Sequence, residues 1–275
     1  MEYKEVRGIR IPVLGLGTSG MGGVMLPDYS HDQNFVEAIR RAIKSGITHI
    51  DTAELYGKNH TEELVGQAIS DYNRKKLFIT TKVSPQHLFT KHQIISAAKN
   101  SLKRLGLDYI DLYLVHWPPI FFSQVIKNVM SVFDQLVEDG LVKFIGVSNF
   151  SISQFQQAQK FTKNKIITNQ VEYSLLNKNP ERELLDFCKR ENVILTAYSP
   201  LGRGKIPTAS FQVLDEIARK YRKTRVQVAL RYLLDKPHVI AIPKATSEAH
   251  LKEILRCLGW HLKKKDEKDL RELKV

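Results

Sequence analysis

A (β/α)8 barrel is the fold class this sequence predicts, on three observations. Eight short apolar runs alternate with helical stretches, the connections are short throughout, and 275 residues is a natural length for one such barrel. Alternating strands and helices specify a parallel sheet, and closure leaves that sheet no edge to cover. No linker, composition shift, low-complexity tract or internal copy marks a boundary, so a single domain over residues 1–275 is expected. An N-terminal β-hairpin and additional short helices complete the expected architecture.

Taken in order, Tyr3 to Leu16, with Gly8 inside it, reads as a hairpin leading into a first buried strand. Gly15-Leu16-Gly17-Thr18-Ser19-Gly20 follows, a literal G-x-G-x-x-G. A dinucleotide fingerprint needs a helix starting among the glycines and an acid about 20 residues on. Gly22, Gly23 and Pro27 postpone any helix to Ser30, and Arg40 stands where the acid belongs, so a loop at a strand mouth is favoured. Ser30-x-x-Gln33 predicts a capping box opening a helix to Ser45. Thr48 to Asp51 is the next strand, and Thr61 is expected to cap a short helix to Ser70. Leu77 to Lys82 is a strand; Thr90-x-x-Gln93 predicts a second box, with its helix ending at Gly106. Ile110 to His116 reads as strand, Ser123 to Asp139 as helix, Phe144 to Ser148 as strand, and Ser151-x-x-Gln154 as a further cap.

Thr168 to Glu172 is the sixth strand, and Asn179-Pro180 offers a cap and first-turn proline for a helix to Glu191. Val193 to Tyr198 is the seventh strand. Helices over 209–221 and, after the Thr224-x-x-Gln227 box, 225–234 lead to an eighth strand from Val239 to Pro243. Helices over 247–258 and 266–273 finish the chain.

The hydrophobic content of 43% is that of an ordinary globular core. A net charge of +13 raises the question of nucleic acid. The basic residues are however interleaved with acids; only Lys263-Lys264-Lys265 forms a tight run, and it reads as a solvated helix end. The excess suits small anionic ligands better. Cys188 and Cys257 sit among apolar helical neighbours, outside any metal or redox spacing, and read as core thiols of a reducing cytoplasm. No apolar run approaches membrane-spanning length. The expectation is a cytoplasmic monomer with no metal, no membrane and no nucleic-acid partner.

Barrels carry their chemistry at the C-terminal ends of the strands. Those ends read Gly17-Thr18, Asp51 with Tyr56 beyond it, Lys82, His116, Ser148-Asn149, Gln170, Tyr198-Ser199 and Pro243-Lys244. Alone, Asp51 reads as a cap, Lys82 as a surface charge and His116 as a core histidine. Together they require one another, because a buried unpaired charge costs several kcal/mol, roughly. The residue types suit proton transfer. An ammonium beside a phenol favours phenolate and lowers its pKa from about 10, and a carboxylate keeps that ammonium in place. Such a phenol exchanges a proton with a carbonyl oxygen, and a neutral imidazole orients that oxygen. With no nucleophile elbow and no metal spacing, a bound hydride donor is the candidate for addition to carbon.

At this point the sequence resembles the aldo-keto reductases from the first strand to the eighth helix. The resemblance is carried by Gly15-Leu16-Gly17-Thr18, Asp51 to Gly57 (DTAELYG), Thr81-Lys82-Val83, Asp111 to Pro118 (DLYLVHWP), Gly146 to Phe150 (GVSNF), Asn169 to Tyr173 (NQVEY), Ala197 to Gly202 (AYSPLG) and Ile242-Pro243-Lys244. It implies NADPH-dependent reduction of an aldehyde or ketone, with Tyr56 as general acid helped by Lys82 and Asp51, and His116 orienting the carbonyl. It implies that Gly17, Thr18 and Asp51 border the cofactor, that Ser148, Asn149 and Gln170 hold its carboxamide, and that Tyr198 stacks on the nicotinamide. Ser199, Leu201, Lys244, Thr246 and His250 would line the phosphate end.

His250 and Ile254 replace an arginine and an asparagine common in strictly NADPH-dependent members, so NADH is a possible second cofactor. Ser19 and Ser84 stand where the family often has aromatic walls. An open pocket for small aldehydes or ketones is expected, with Met21, Met25, Trp117 and Phe121 as lining. The alternative from another class is a fold-retaining redox-sensing subunit with little turnover.

Overall fold

The computed structural model describes residues 1–273. In chain order its elements are β1 (Tyr3–Val6), β2 (Ile9–Pro12), β3 (Gly15–Gly17), α1 (Asp32–Lys44), β4 (His49–Asp51), α2 (His60–Ile69), β5 (Phe78–Val83), α3 (Lys91–Leu105), β6 (Ile110–Val115), α4 (Phe122–Glu138) and β7 (Val142–Ser148). Then come α5 (Ile152–Lys160), β8 (Ile166–Glu172), α6 (Leu184–Glu191), β9 (Ile194–Tyr198), α7 (Lys205–Thr208), α8 (Gln212–Tyr221), α9 (Arg225–Leu234), β10 (Val239–Ala241), α10 (Glu248–Leu255) and α11 (Lys264–Arg271). β1 and β2 form the hairpin, whose turn residues Arg7 and Gly8 both have positive φ, the geometry that matches strand twist. β3 to β10 lie side by side in sequence order, and a parallel bridge from Leu14 to Ala241 joins the ends, giving the predicted (β/α)8 barrel.

The described residues divide into two compact units, 16–170 and 1–15 with 171–273. Within the first, strand register fixes which side chains face inward. Asp51 pairs with Thr80, Lys82 with Leu114, Leu114 with Gly146, and Ser148 with Gln170. Since side chains alternate along a strand, Asp51, Lys82, His116, Ser148 and Gln170 share one face. The other face meets the helices: Thr81 donates to Glu62 of α2, and Tyr113 stacks on Phe133 of α4. Gly146 lies on the inner layer where a Cβ would come within 2.5 Å of Leu114 and 2.7 Å of Thr168, so only glycine fits without a shift.

The second unit is knit by buried polar hubs. Glu181 accepts from the hydroxyls of Tyr173 (2.8 Å) and Tyr232 (2.6 Å), and Arg231 donates to Glu2. Cys188 and Cys257 are both free and fully buried, as expected, and burial pushes each thiol up to about 12.

The capping boxes at Thr90, Ser151 and Thr224 form as predicted, and Ser247 caps α10. Four details differ. Ser30 opens no box: its N–H and hydroxyl both donate to Asp28 Oδ1, a local bond that outcompetes the helix, and α1 starts at Asp32. Thr61 is not a cap either; its hydroxyl donates to the Met21 carbonyl, and α2 begins one residue earlier behind left-handed Asn59. Asn179-Pro180 starts only a 3-10 turn, with α6 following at Leu184. The helix expected over 209–221 begins only at Gln212 as α8, because Ala209 and Phe211 are extended, and the short α7 precedes it.

Candidate active site

The site begins with Lys82, whose side chain is 0% exposed beside an Asp51 that is 2% exposed. An ammonium has three protons, and all three are placed. They go to Asp51 Oδ1 at 2.6 Å, the Thr52 carbonyl at 2.8 Å and the Tyr56 hydroxyl at 3.3 Å. The second Asp51 oxygen accepts from Gln170 Nε2 at 2.7 Å, so the carboxylate is held from both sides. Burial presses the lysine toward neutrality, but Asp51 and Tyr56 outweigh it and its pKa is raised. Lys82 is therefore a fixed positive charge aimed at a phenol.

Tyr56 is half-buried, with its ring edge-on to His116 at 5.6 Å and 5.0 Å from the Lys82 ammonium. Lys82 does pull the phenol's pKa down, but the expected net fall does not result. Burial raises it more than the ammonium lowers it, and Asp51 adds to the rise, so the net direction is upward. At His116, burial and then Lys82 depress the imidazole to about 3, which makes it neutral at physiological pH. Its Nδ1 is buried without a hydrogen-bond partner among the described residues.

Local structure sets these groups. Asp51 ends β4, Lys82 lies one residue before the end of β5, and His116 follows β6, its N–H donating to the Val83 carbonyl. Tyr56 rides on a turn whose next three residues, Gly57, Lys58 and Asn59, all have positive φ (54°, 51° and 80°). For the two that are not glycine this costs about 1–2 kcal/mol each. Outside ties hold the turn: Gly57 N–H donates to the Val24 carbonyl at 3.1 Å, and a Cβ on Gly57 would collide with the Gly22 carbonyl.

The neighbouring strand ends form a polar row. Ser148 Oγ donates to the Gln170 carbonyl at 2.9 Å, while Asn149 Nδ2 donates to Ser148 Oγ and the His116 carbonyl. Thr18 is fully buried and both its N–H and hydroxyl donate to the Asp51 carbonyl, so this residue and Gly17 brace the acid's strand. In the second unit, Tyr198 ends β9 half-buried, Ser199 has φ 48°, and Leu201 and Gly202 form the next turn. Lys244 is exposed after β10 with no ion pair among the described residues, and Thr246 and His250 flank the N-terminus of α10. An exposed ammonium beside a helix N-terminus is the donor chemistry a phosphate requires.

The expected pocket lining divides. Met25 (71%), Phe121 (60%) and Trp117 (46%) are exposed on loops at the strand ends. Met21 is 0% exposed, so its side chain belongs to the core, because its carbonyl and N–H lock that loop inward. Two residues with evident local roles were not singled out from sequence. Glu54 accepts from the Ser84 N–H and His87, tying the loops after β4 and β5. His60 contacts both Asp32 and Glu63; an acid three residues away on its own helix was the available signal. Among the described residues no cluster suits a metal ion, and no helix is long and apolar enough to cross a membrane.

A family model described as the aldo/keto reductase family matches residues 13–275. The glyoxal reductase of Bacillus subtilis (strain 168) is 34% identical over 260 residues, covering 94% of this chain and 87% of that protein. A crystal structure of the thermostable aldo-keto reductase Tm1743 with the inhibitor epalrestat superposes with a TM-score of 0.94 at 44% identity, covering all of both chains. An aldo/keto reductase from Klebsiella pneumoniae, solved with NADP and acetate, gives 0.88 at 31% identity, covering 98% and 95%.

Proposed function

We propose, on the premise that this chain belongs to the aldo-keto reductase family, that it reduces aldehydes or ketones to alcohols with NADPH, accepting NADH less well. On this reading the 275 residues act as one catalytic domain, a monomer of the cytoplasm. The glyoxal reductase relative and the NADP-bound neighbour support it. The observation that carries it is the buried Asp51–Lys82 pair donating a hydrogen bond to the Tyr56 oxygen, with a neutral imidazole edge-on to that phenol.

Each residue's contribution follows from its protonation state. Tyr56, its pKa raised, keeps its proton through neutral pH and can donate it to a carbonyl oxygen. Lys82 stabilises the phenolate left behind, and Asp51 keeps that ammonium charged and in place. Neutral His116 can hydrogen-bond the carbonyl oxygen without competing for the proton. The hydride for the carbonyl carbon would come from NADPH when it is bound. Ser148, Asn149 and Gln170 would hold the carboxamide, with Gly17 and Thr18 bracing Asp51 beside it. In the second unit Tyr198 offers a ring face for the nicotinamide. Ser199, Leu201, Lys244, Thr246 and His250 would take the phosphates. Met25, Trp117 and Phe121 offer apolar surface to the substrate.

A screen of cofactor oxidation over aldehydes, ketones and sugars, with NADPH and NADH in parallel, tests the proposal. Turnover of one or more carbonyl compounds, faster with NADPH at low cofactor concentration, is expected. No turnover with any of them would overturn it.

A further inference from the structure

We propose that His60 is a positioning residue for this reaction: bridging Asp32 and Glu63, it pins the left-handed turn after Tyr56 and so sets the place of the phenol. This rests on the reading of Tyr56 as proton donor. His60 is the first residue of α2 and directly follows the turn Gly57–Asn59. Its side chain is 8% exposed, and each ring nitrogen faces a carboxylate. Nε2 lies 2.8 Å from Asp32 Oδ1, and Nδ1 lies 3.1 Å from Glu63 Oε2. A neutral imidazole has one N–H and satisfies one of these; only the imidazolium donates to both.

The clamp joins three segments. Asp32 opens α1, Glu63 belongs to α2, and Tyr29 comes from the loop between β3 and α1, its ring 4.4 Å from the imidazole. These three are the titratable groups facing His60 among the described residues. The same loop reaches the turn again, through the Gly57 N–H on the Val24 carbonyl and the Thr61 hydroxyl on the Met21 carbonyl. Gly22 lets it come so close: a Cβ there would lie 2.8 Å from the His60 ring. Residues at positive φ with ordinary side chains, such as Lys58 and Asn59, persist only where surroundings over-determine them. His60 supplies that determination at the C-terminal end of the turn.

The sign of the pH dependence is fixed. Burial presses His60 toward neutrality, but its hydrogen bonds to Asp32 and Glu63 outweigh burial and raise its pKa above 6.5. The clamp is complete below the ordinary histidine value and loosens as pH rises through the raised one. Tyr56 titrates higher still, so its own loss of proton gives a separate limb.

The test follows Gly57 amide-exchange protection and the single-turnover reduction rate across pH, on NADPH-loaded enzyme. In the natural protein both are expected to step down together above the His60 midpoint, the rate by about tenfold, since small displacements of a catalytic group carry large rate costs. Glu63→Gln should move both steps to lower pH. His60→Gln should remove them, leaving the lower rate at every pH and NADPH affinity unchanged by fluorescence titration. Wild-type steps persisting in His60→Gln would overturn the proposal, as would a step in protection with no step in rate. Near-normal turnover by Tyr56→Phe would strike the acid assignment instead, while exchange at Gly57 still decided the clamp.

Discussion

Lys82 has no proton to spare: Asp51, the Thr52 carbonyl and Tyr56 take all three. That saturation makes a buried ammonium tolerable and gives the phenol an oriented positive neighbour. Removing one member of a buried pair costs roughly 3–5 kcal/mol, since the other is left charged and unpartnered. Lys82→Met is therefore expected to lose that much stability at neutral pH in chemical denaturation, together with most activity. Asp51 is then left buried with Gln170 as its remaining side-chain partner, so adding Asp51→Asn to Lys82→Met should recover part of the deficit. A double variant less stable than the single one by the full cost of a second independent loss would contradict the pairing. The residue types of this cluster were legible in the sequence because Asp51 and Lys82 each close an apolar run and Tyr56 follows Asp51 on the next turn. The upward shift of Tyr56 was not, because it depends on how deeply the ring is buried against how near the ammonium lies.

At the scale of elements, alternation along four neighbouring strands gathers the site. Asp51, Lys82, His116 and Ser148 face inward together because the register sets Asp51 against Thr80 and Lys82 against Leu114. Strand and helix periods in the sequence were enough to place these strands within a residue or two. Local competition was harder to read. The Thr90, Ser151 and Thr224 boxes form, yet Ser30, of the same pattern, is diverted by Asp28 two residues upstream. Thr61 is diverted by a carbonyl forty residues away in sequence, which no local pattern announces. The turn Gly57–Asn59 was likewise hidden: only its glycine signals positive φ, and the turn is held by contacts of Gly57 with the loop bearing Gly22 and Val24.

Across the whole molecule, a net charge of +13 suits small anions such as a phosphorylated cofactor. Lys244 is the test of that use. A point-charge lysine attracts a phosphate without the bidentate fork of an arginine, and His250 stands at the head of α10 where a stronger anion clamp could have been. Lys244→Ala is expected to raise the apparent KM for NADPH about tenfold while that for NADH changes little, in line with the worth of a charge-assisted contact. Equal changes for both would place the distinguishing phosphate elsewhere. The barrel itself was legible from strand number, spacing and length. The pocket was less so: Met21 and Met25 stand four residues apart on one loop, and only folding shows that the first is core and the second surface.

The most direct measurement is single-turnover reduction by Tyr56→Phe, with NADPH affinity measured on the same sample. If the phenol supplies the proton, the rate falls by about 10²–10⁴-fold, the usual share of a general acid, while NADPH binds as before. A rate within a fewfold of the natural protein would contradict it.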